Sequence, residues 1–407
     1  MTPAAGPRDG QDPRAERGDA AYRRALVALF CAGLATFAQM YSPQGLLPEI
    51  AREFGIDAGA SSWAVGATTI GVAAGVLPWA RVSDRYGRVR TMRWAIAAAM
   101  LLGLAVPFAP GFAAMIGLRV VEGVALAGVP ALAVTALAET VRPHALGAAV
   151  GTYVAGTTLG GLAGRLLAGA VEEPAGWRAG MVVVAVVAAL AAAGFAILVP
   201  RPAVPQPAGS PILGAIAANL RNPAVLVLVA LAFLLMGGFV AAYNALAFRL
   251  ELPPYSLSLM QVSWLFLAYL AGTLTSGTVW GLVRRRRATT VLLGCLGVMA
   301  AGLALTLGTG LAAIVVGLVL FTGGFFGAHS IANGLVGRRA AGLPGASQAP
   351  PLYNLGYYAG SSLLGWAGTA AFAAWGWGGA SAMIAAAIAL AAILVVVSAR
   401  RHPDPVG

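Results

Sequence analysis

Charge is scarce in this chain of 407 residues: 10% of them are Asp, Glu, Lys or Arg, against 59% that are hydrophobic. A soluble domain carries about a quarter charged residues to cover its surface, so a water-soluble globular class is excluded. Lysine is missing altogether, and all 26 basic residues are Arg. Two cysteines occur, Cys31 and Cys295, each inside an apolar run, with no CxxC and no Cys/His cluster. A disulfide scaffold, a zinc site and a haem are thereby excluded, and both thiols read as small buried hydrophobes. No Walker A loop is present, which excludes an ATP-driven pump. An enzyme lacks its paired carboxylates, metal cluster or nucleophile elbow. A sensor lacks an output domain, because no loop is long enough to hold one. The expectation is therefore a non-enzyme without cofactor or metal. The bias to Ala, Arg and Gly without Lys points to a GC-rich bacterial genome.

What is abundant is apolar sequence in long runs. About 20 apolar residues are needed for a helix to cross roughly 30 Å of hydrocarbon. That ruler predicts twelve spans, near 24–46, 60–80, 93–109, 112–136, 145–170, 178–199, 223–248, 259–283, 288–308, 311–335, 349–373 and 376–398. The weakest divisions are at Pro107, Pro110 and Gly111, and at Gly308 to Gly310. The predicted class is all-α and polytopic, in two six-helix halves. Residues 1–22 are expected to be a disordered cytoplasmic tail rather than a signal peptide. Residues 23–199 form the first bundle, 200–222 a cytoplasmic linker rich in proline, 223–398 the second bundle and 399–407 a tail. Two such halves suggest a transporter with repeats.

The net charge of +12 does not mark a nucleic-acid face, because the arginines sit in short segments between apolar runs. With the N-terminus in the cytoplasm, almost all lie on that side: Arg8 to Arg24, Arg81 to Arg93, Arg142, Arg201, Arg221, Arg284 to Arg287, Arg338, Arg339, Arg400 and Arg401. The opposite side holds Arg52, Arg178 and Arg249, while Arg119 and Arg165 fall inside spans. Positive charge inside orients a multi-pass protein, so both termini are expected in the cytoplasm and the chain in a bacterial inner membrane.

The loop after the second span reads Ala80-Arg-Val-Ser-Asp84-Arg85-Tyr-Gly87-Arg88-Val-Arg90. Gly87 permits a tight turn, and Asp84 among arginines can form a salt-bridged clamp. This resembles the cytoplasmic signature of the major facilitator superfamily, with Ala80 and Val89 departing from it. The equivalent loop of the second half, Gly281 to Arg287, keeps the charge and lacks the acid. In the fifth span, Gly151, Gly156, Gly160, Gly161 and Gly164 allow close helix contact. They resemble the helix-five glycine motif of the superfamily's proton-coupled drug antiporters, with Thr157 in place of the usual Pro; plain packing explains them equally. Gly164-Arg165, Tyr41 to Ile50 and Leu352 to Ser362 resemble the arabinose-efflux-permease-like branch.

The fourth span carries Arg119-Val-Val-Glu122-Gly123. Charges inside a membrane are expensive and default to a functional hypothesis. Residues three apart share a helix face, and Glu122 lies near the midplane at 1.5 Å per residue. The superfamily resemblance implies a link between Arg119 and proton transfer. Arg119, Glu122 and Arg165 are expected to form a buried charge cluster with Glu122 as its protonatable member, with a static ion network as the alternative. Spans one, four, seven and ten line the cavity in the superfamily. The candidates there are Gln39, Tyr41, Tyr243, Asn244, His329 and Asn333, joined by Asn354 and Tyr357 in span eleven. The function this implies is secondary transport of a small amphiphilic solute, drug or metabolite. Proton-coupled efflux by alternating access leads, and a proton-independent facilitator or exchanger is the alternative. Partners are the substrate, protons and lipid, without nucleic acid, and the working unit is a monomer.

Overall fold

The computed structural model describes residues 12–200, 212–342 and 345–401. Most of the proline-rich stretch of the predicted linker and the ends of both predicted tails lie outside them. The described residues hold no β-strand, only an isolated bridge between Ala15 and Val141. Hydrocarbon offers no partner to a backbone amide, so each crossing must satisfy its own hydrogen bonds as a helix. The helices are α1 Ala20–Tyr41, α2 Leu47–Phe54, α3 Ala58–Tyr86, α4 Arg88–Ala105, α5 Phe112–Leu126, α6 Gly128–Thr140 and α7 Pro143–Leu198. They are followed by α8 Ile212–Leu220, α9 Pro223–Glu251, α10 Leu259–Trp264, α11 Tyr269–Val283, α12 Ala288–Leu305, α13 Leu311–Ala340 and α14 Ala349–Arg401.

Among the described residues, ten helical stretches are long and apolar enough to cross a membrane. Two of them are far too long for one crossing: α7 has 56 residues and α14 has 53. At 1.5 Å per residue each runs to about 80 Å. Each breaks near its middle, α7 at Gly176 (φ 81°) and α14 at Trp375 and Gly376 (φ 61°). Both glycines occupy positive φ, which a side chain resists. Each long helix thus folds into two antiparallel legs, in keeping with twelve crossings. The division at Pro107 to Gly111 is a short 3-10 turn over Val106–Phe108, and that at Gly308 to Gly310 separates α12 from α13.

The expected disorder of residues 1–22 is corrected for its described part. Ala15 donates its N–H to the Thr140 carbonyl at 2.8 Å and accepts from the Arg142 N–H at 3.0 Å. Arg142 also pairs with Glu16 at 2.9 Å. Arg14 bonds Asp12 and the Ala138 carbonyl, and its guanidinium holds the Asp12 carboxyl down at about 2. Residues 12–19 are pinned to the α6–α7 junction because that junction offers open backbone groups at a helix end.

The first leg of α7 lies against α1 backbone to backbone. A Cβ at Gly156, Gly160 or Gly164 would overlap the carbonyls of Phe30, Leu34 or Ala38. Both rows advance by four residues, so one ridge seats on another along the whole contact. The second half repeats the arrangement, with Gly356 and Gly360 of α14 pressed on Val229 and Phe233 of α9. Gly151 meets nothing within 4 Å, so it takes no part in this contact. Replacing Gly160 by Val, with Leu34 Cα only 2.6 Å from the new Cβ, should cost about 1–3 kcal/mol or more and lower the thermal unfolding midpoint. Gly151→Ala should leave it unchanged or raise it, by up to about 1 kcal/mol.

Candidate functional site

Arg119 of α5 has no exposed surface, and neither does Glu122. Its Nη1 reaches Glu122 Oε2 at 2.7 Å. Nε donates to the Ala64 carbonyl of α3 at 2.8 Å, Nη1 also to that of Gln39 at 3.2 Å, and Nη2 to that of Met40 at 2.6 Å. Gln39 and Met40 belong to the last turn of α1, where carbonyls have no partner within the helix and the dipole favours a cation. Arg119 therefore caps α1 and ties it to α3 and α5. The Gln39 side chain lies where a side chain at Gly103 would have to go, with Glu122 beside it.

Arg165 is placed elsewhere, which corrects the expected three-residue cluster. Its side chain is buried, yet it pairs with no carboxylate among the described residues. Nε donates to Gln44 Oε1 at 2.7 Å and Nη1 to its own helix at Gly161 O, 2.6 Å. Its guanidinium carbon stands 4.4 Å from the ring centre of Tyr41 and 4.9 Å from those of Phe266 and Tyr269. Arg165 grows from α7 of the first half, whereas Phe266 and Tyr269 belong to the second. Gln44 continues the bridge by donating to Asn244 of α9 at 2.8 Å.

From there a chain of rings enters the second half. Tyr243 stacks on Phe266 and contacts Phe239, which lies 4.0 Å from Phe325 centre to centre. Phe325 stacks on His329, whose Nδ1 is 2.8 Å from the Tyr353 hydroxyl and whose ring is 5.0 Å from that of Tyr357. Tyr243 is anchored by Thr322 at 2.8 Å. Tyr41, Tyr243, Asn244, His329 and Tyr357 are thus joined along this chain of rings and amides, while Gln39 stays within the first half beside Glu122. Asn333 and Asn354 are exposed and stand outside this cluster. Sequence reading missed Gln44, Phe239, Phe266, Tyr269 and Phe325. The spacing of four from Phe239 to Tyr243, and along Phe321, Phe325 and His329, is the signal that one helix face carries rings.

The halves meet at the arginine-poor end. Thr69 and Ser362 hydroxyls are 2.6 Å apart, Trp63 lies beside Trp366, and Gly59 abuts Ala370. Arg52 joins Glu49 on its own helix and Glu251 on α9 at 3.2 Å, with Glu172 close by. Residues 38–48 and 235–247 are buried without interruption, whereas the opposite ends of α1 and α9 alternate between buried and exposed. Among the described residues, the halves close around α1 and α9 at that end.

A family model described as Major Facilitator Superfamily matches residues 29–350. The chain belongs to this superfamily. It is 35% identical to the uncharacterised MFS-type transporter YybF of Bacillus subtilis over 371 residues, 90% of this chain and 91% of that one. It is 34% identical to the inner membrane transport protein YnfM of Escherichia coli over 392 residues, covering 95% and 92% of the two chains. A bacterial homologue of the human lysosomal transporter Spinster, solved inward-facing and unoccupied, superposes with a TM-score of 0.70 at 14% identity, over 95% of this chain and 96% of that one. At that identity the likeness concerns the fold alone. The protein is a multi-pass membrane transporter and not an enzyme.

The superfamily loop is an ion network within the first half. Gly87 takes φ 83° between α3 and α4. Arg88 bonds Asp84 at 2.6 Å and approaches Glu139 of α6 at 3.6 Å. Arg85 and Arg90 lie on Tyr86 and Trp94 instead. Asp84 therefore clamps α3 to α4 and, through Arg88, to α6.

Two expectations follow. Breaking a buried ion pair leaves a bare charge, so Arg119→Ala should lower unfolding stability by about 3–5 kcal/mol, readable as a large drop in midpoint. At the seal, Arg52 is 55% exposed, and an exposed pair contributes about 1 kcal/mol at most. Arg52→Ala should shift the open-to-sealed ratio less than about fivefold. Gly66→Leu, aimed at Ser362 Cα 3.6 Å from the Cβ position, should shift it far more. Distances between paired spin labels across that end measure both.

Proposed function

We propose that this transporter exports a small amphiphilic solute by alternating access, in exchange for protons. The observation that carries the reading is the Arg119–Glu122 pair, 2.7 Å apart and without exposure, set mid-helix within the first half. Desolvating two charges costs several kcal/mol each before their attraction repays it, an expense that packing alone could avoid with apolar residues. Glu122 is the one carboxyl group far from both ends of the spans, which makes it the group to take up the coupling proton. Residues 23–199 and 223–398 are the two bodies that rock about the linker 200–222. Both termini lie in the cytoplasm of a bacterial plasma membrane, by the arginine asymmetry, and the sealed end then faces outward. Asp84 to Arg90 act as the cytoplasmic gating loop. A single chain suffices, because the seam is formed within it.

A proton-independent exchanger is the second reading. It is favoured by the four hydrogen bonds of Arg119, which make the pair a cap for α1 whether or not Glu122 titrates. Proteoliposomes with a pH-sensitive dye inside separate the two. In the wild type, substrate addition should move protons. In Glu122→Gln, substrate exchange should persist while proton movement vanishes. Unchanged proton-linked flux in that variant would exclude the coupled mechanism.

A further inference from the structure

The membrane-embedded core holds two arginines and a single carboxylate. Arg119 and Glu122 neutralise each other at 2.7 Å. Arg165 is 2% exposed, and its partners among the described residues are an amide oxygen, a backbone carbonyl and three ring faces. In the second bundle the sole acidic residue is Glu251, at the end of α9. The seam therefore carries one uncompensated positive charge, and it lies on the boundary between the halves.

The geometry of that charge is specific. A guanidinium is flat, with five N–H groups directed along its edge. Ring faces satisfy its flat sides through the ring quadrupole and leave the edge free. Of the five N–H groups, one at Nε and one at Nη1 are used. The remaining edge, at Nη1 and Nη2, matches the two parallel oxygens of a carboxylate. The surroundings are aromatic: Tyr41, Phe266 and Tyr269 hold the cation, and Tyr243 stacks behind Phe266. Tyr357 is half-buried and stands near both Tyr41 and Tyr269. It belongs to α14, where the exposed Asn354 lies one turn nearer the unsealed end. A solute entering from that end meets Tyr357 before Arg165.

We propose that Arg165 is the receptor for the negative charge of the transported solute, and that this solute is an aromatic organic carboxylate. This deepens the transport reading and rests on it. The carboxylate would fork onto the free edge of Arg165 while its ring joins the stack. Because Gln44 links Arg165 to Asn244 and two of the three rings, Phe266 and Tyr269, come from the second half, occupancy would be felt by both halves at once. An organic cation would meet like charge in a low-dielectric seam, where repulsion is least screened.

Ligand-dependent thermal unfolding of the purified, detergent-solubilised protein tests this without any gradient. The probes are benzoate, 2-naphthoate and 4-phenylbutyrate, with their methyl esters and tetraphenylphosphonium as controls. At least one carboxylate should raise the wild-type midpoint, and its ester and the cation should not. In Arg165→Gln the apparent affinity should fall about 10- to 100-fold, the loss expected for a hydrogen-bonded charge partner. Arg165→Lys keeps the charge and loses the fork, so it should fall between the two; it also decides the matter if Arg165→Gln does not fold. The proposal is overturned if no carboxylate stabilises the wild type, if esters stabilise equally, or if both variants bind as the wild type does. The export reading fails instead in flux: movement of the carboxylate that depends on Arg165 but runs inward, or without protons, would sink that reading and leave this one.

Discussion

Arg119 stands at the point where three helices of the first half must meet, and its guanidinium leaves them little choice of arrangement. Inside hydrocarbon, a buried cation needs oxygen on every side. It finds one carboxylate on its own helix and three carbonyls on two others. Two of these carbonyls are available because α1 ends there, so the cation and the helix end satisfy each other. Displacing α1 would strand both. This makes the junction of α1, α3 and α5 a fixed reference within the first half.

Around that reference the helices approach by means of what they lack. Side chains are absent at Gly156, Gly160 and Gly164, so α7 rests on α1 through backbone. Without a hydrophobic force between helices in lipid, such close van der Waals contact is what holds them. The second half places Gly356 and Gly360 in the same relation to α9. Each half is thus tightly knit by itself. The contacts between halves are more mixed: hydroxyls, an exposed ion pair, stacked rings and the Arg165 bridge, with glycine approaches at Gly59, Gly66 and Gly169 that meet Ala370, Ser362 and Ser263.

The two buried arginines show why similar residues play different parts. Arg119 has its counter-charge three residues away, on the same face of one helix. Arg165 has none, and it leans across to rings of the other half. The first has four of its five N–H groups bonded to oxygen, and the second only two. Salt bridges at the sealed end matter less than their number suggests, because water screens Arg52 while the Thr69–Ser362 contact lies in the buried seam.

Much of this was legible in the chain itself. The apolar runs and the arginine asymmetry follow from bilayer thickness and surface charge, which act on composition, so span number and class needed no coordinates. Glycines four apart, and Arg119 three residues before Glu122, marked helix faces directly, because helical period is local. The Gly87 turn was legible for the same reason. The destination of Arg165 was not: its position along the fifth span does not tell its direction around the helix axis. Nor could the pinning of residues 12–19 be read, since their partners lie more than 100 residues away at Thr140 and Arg142. Which end closes, and which of the scattered rings share a seam, are set by how the two halves pack. Those are properties of long-range contacts, to which no local pattern in the sequence corresponds.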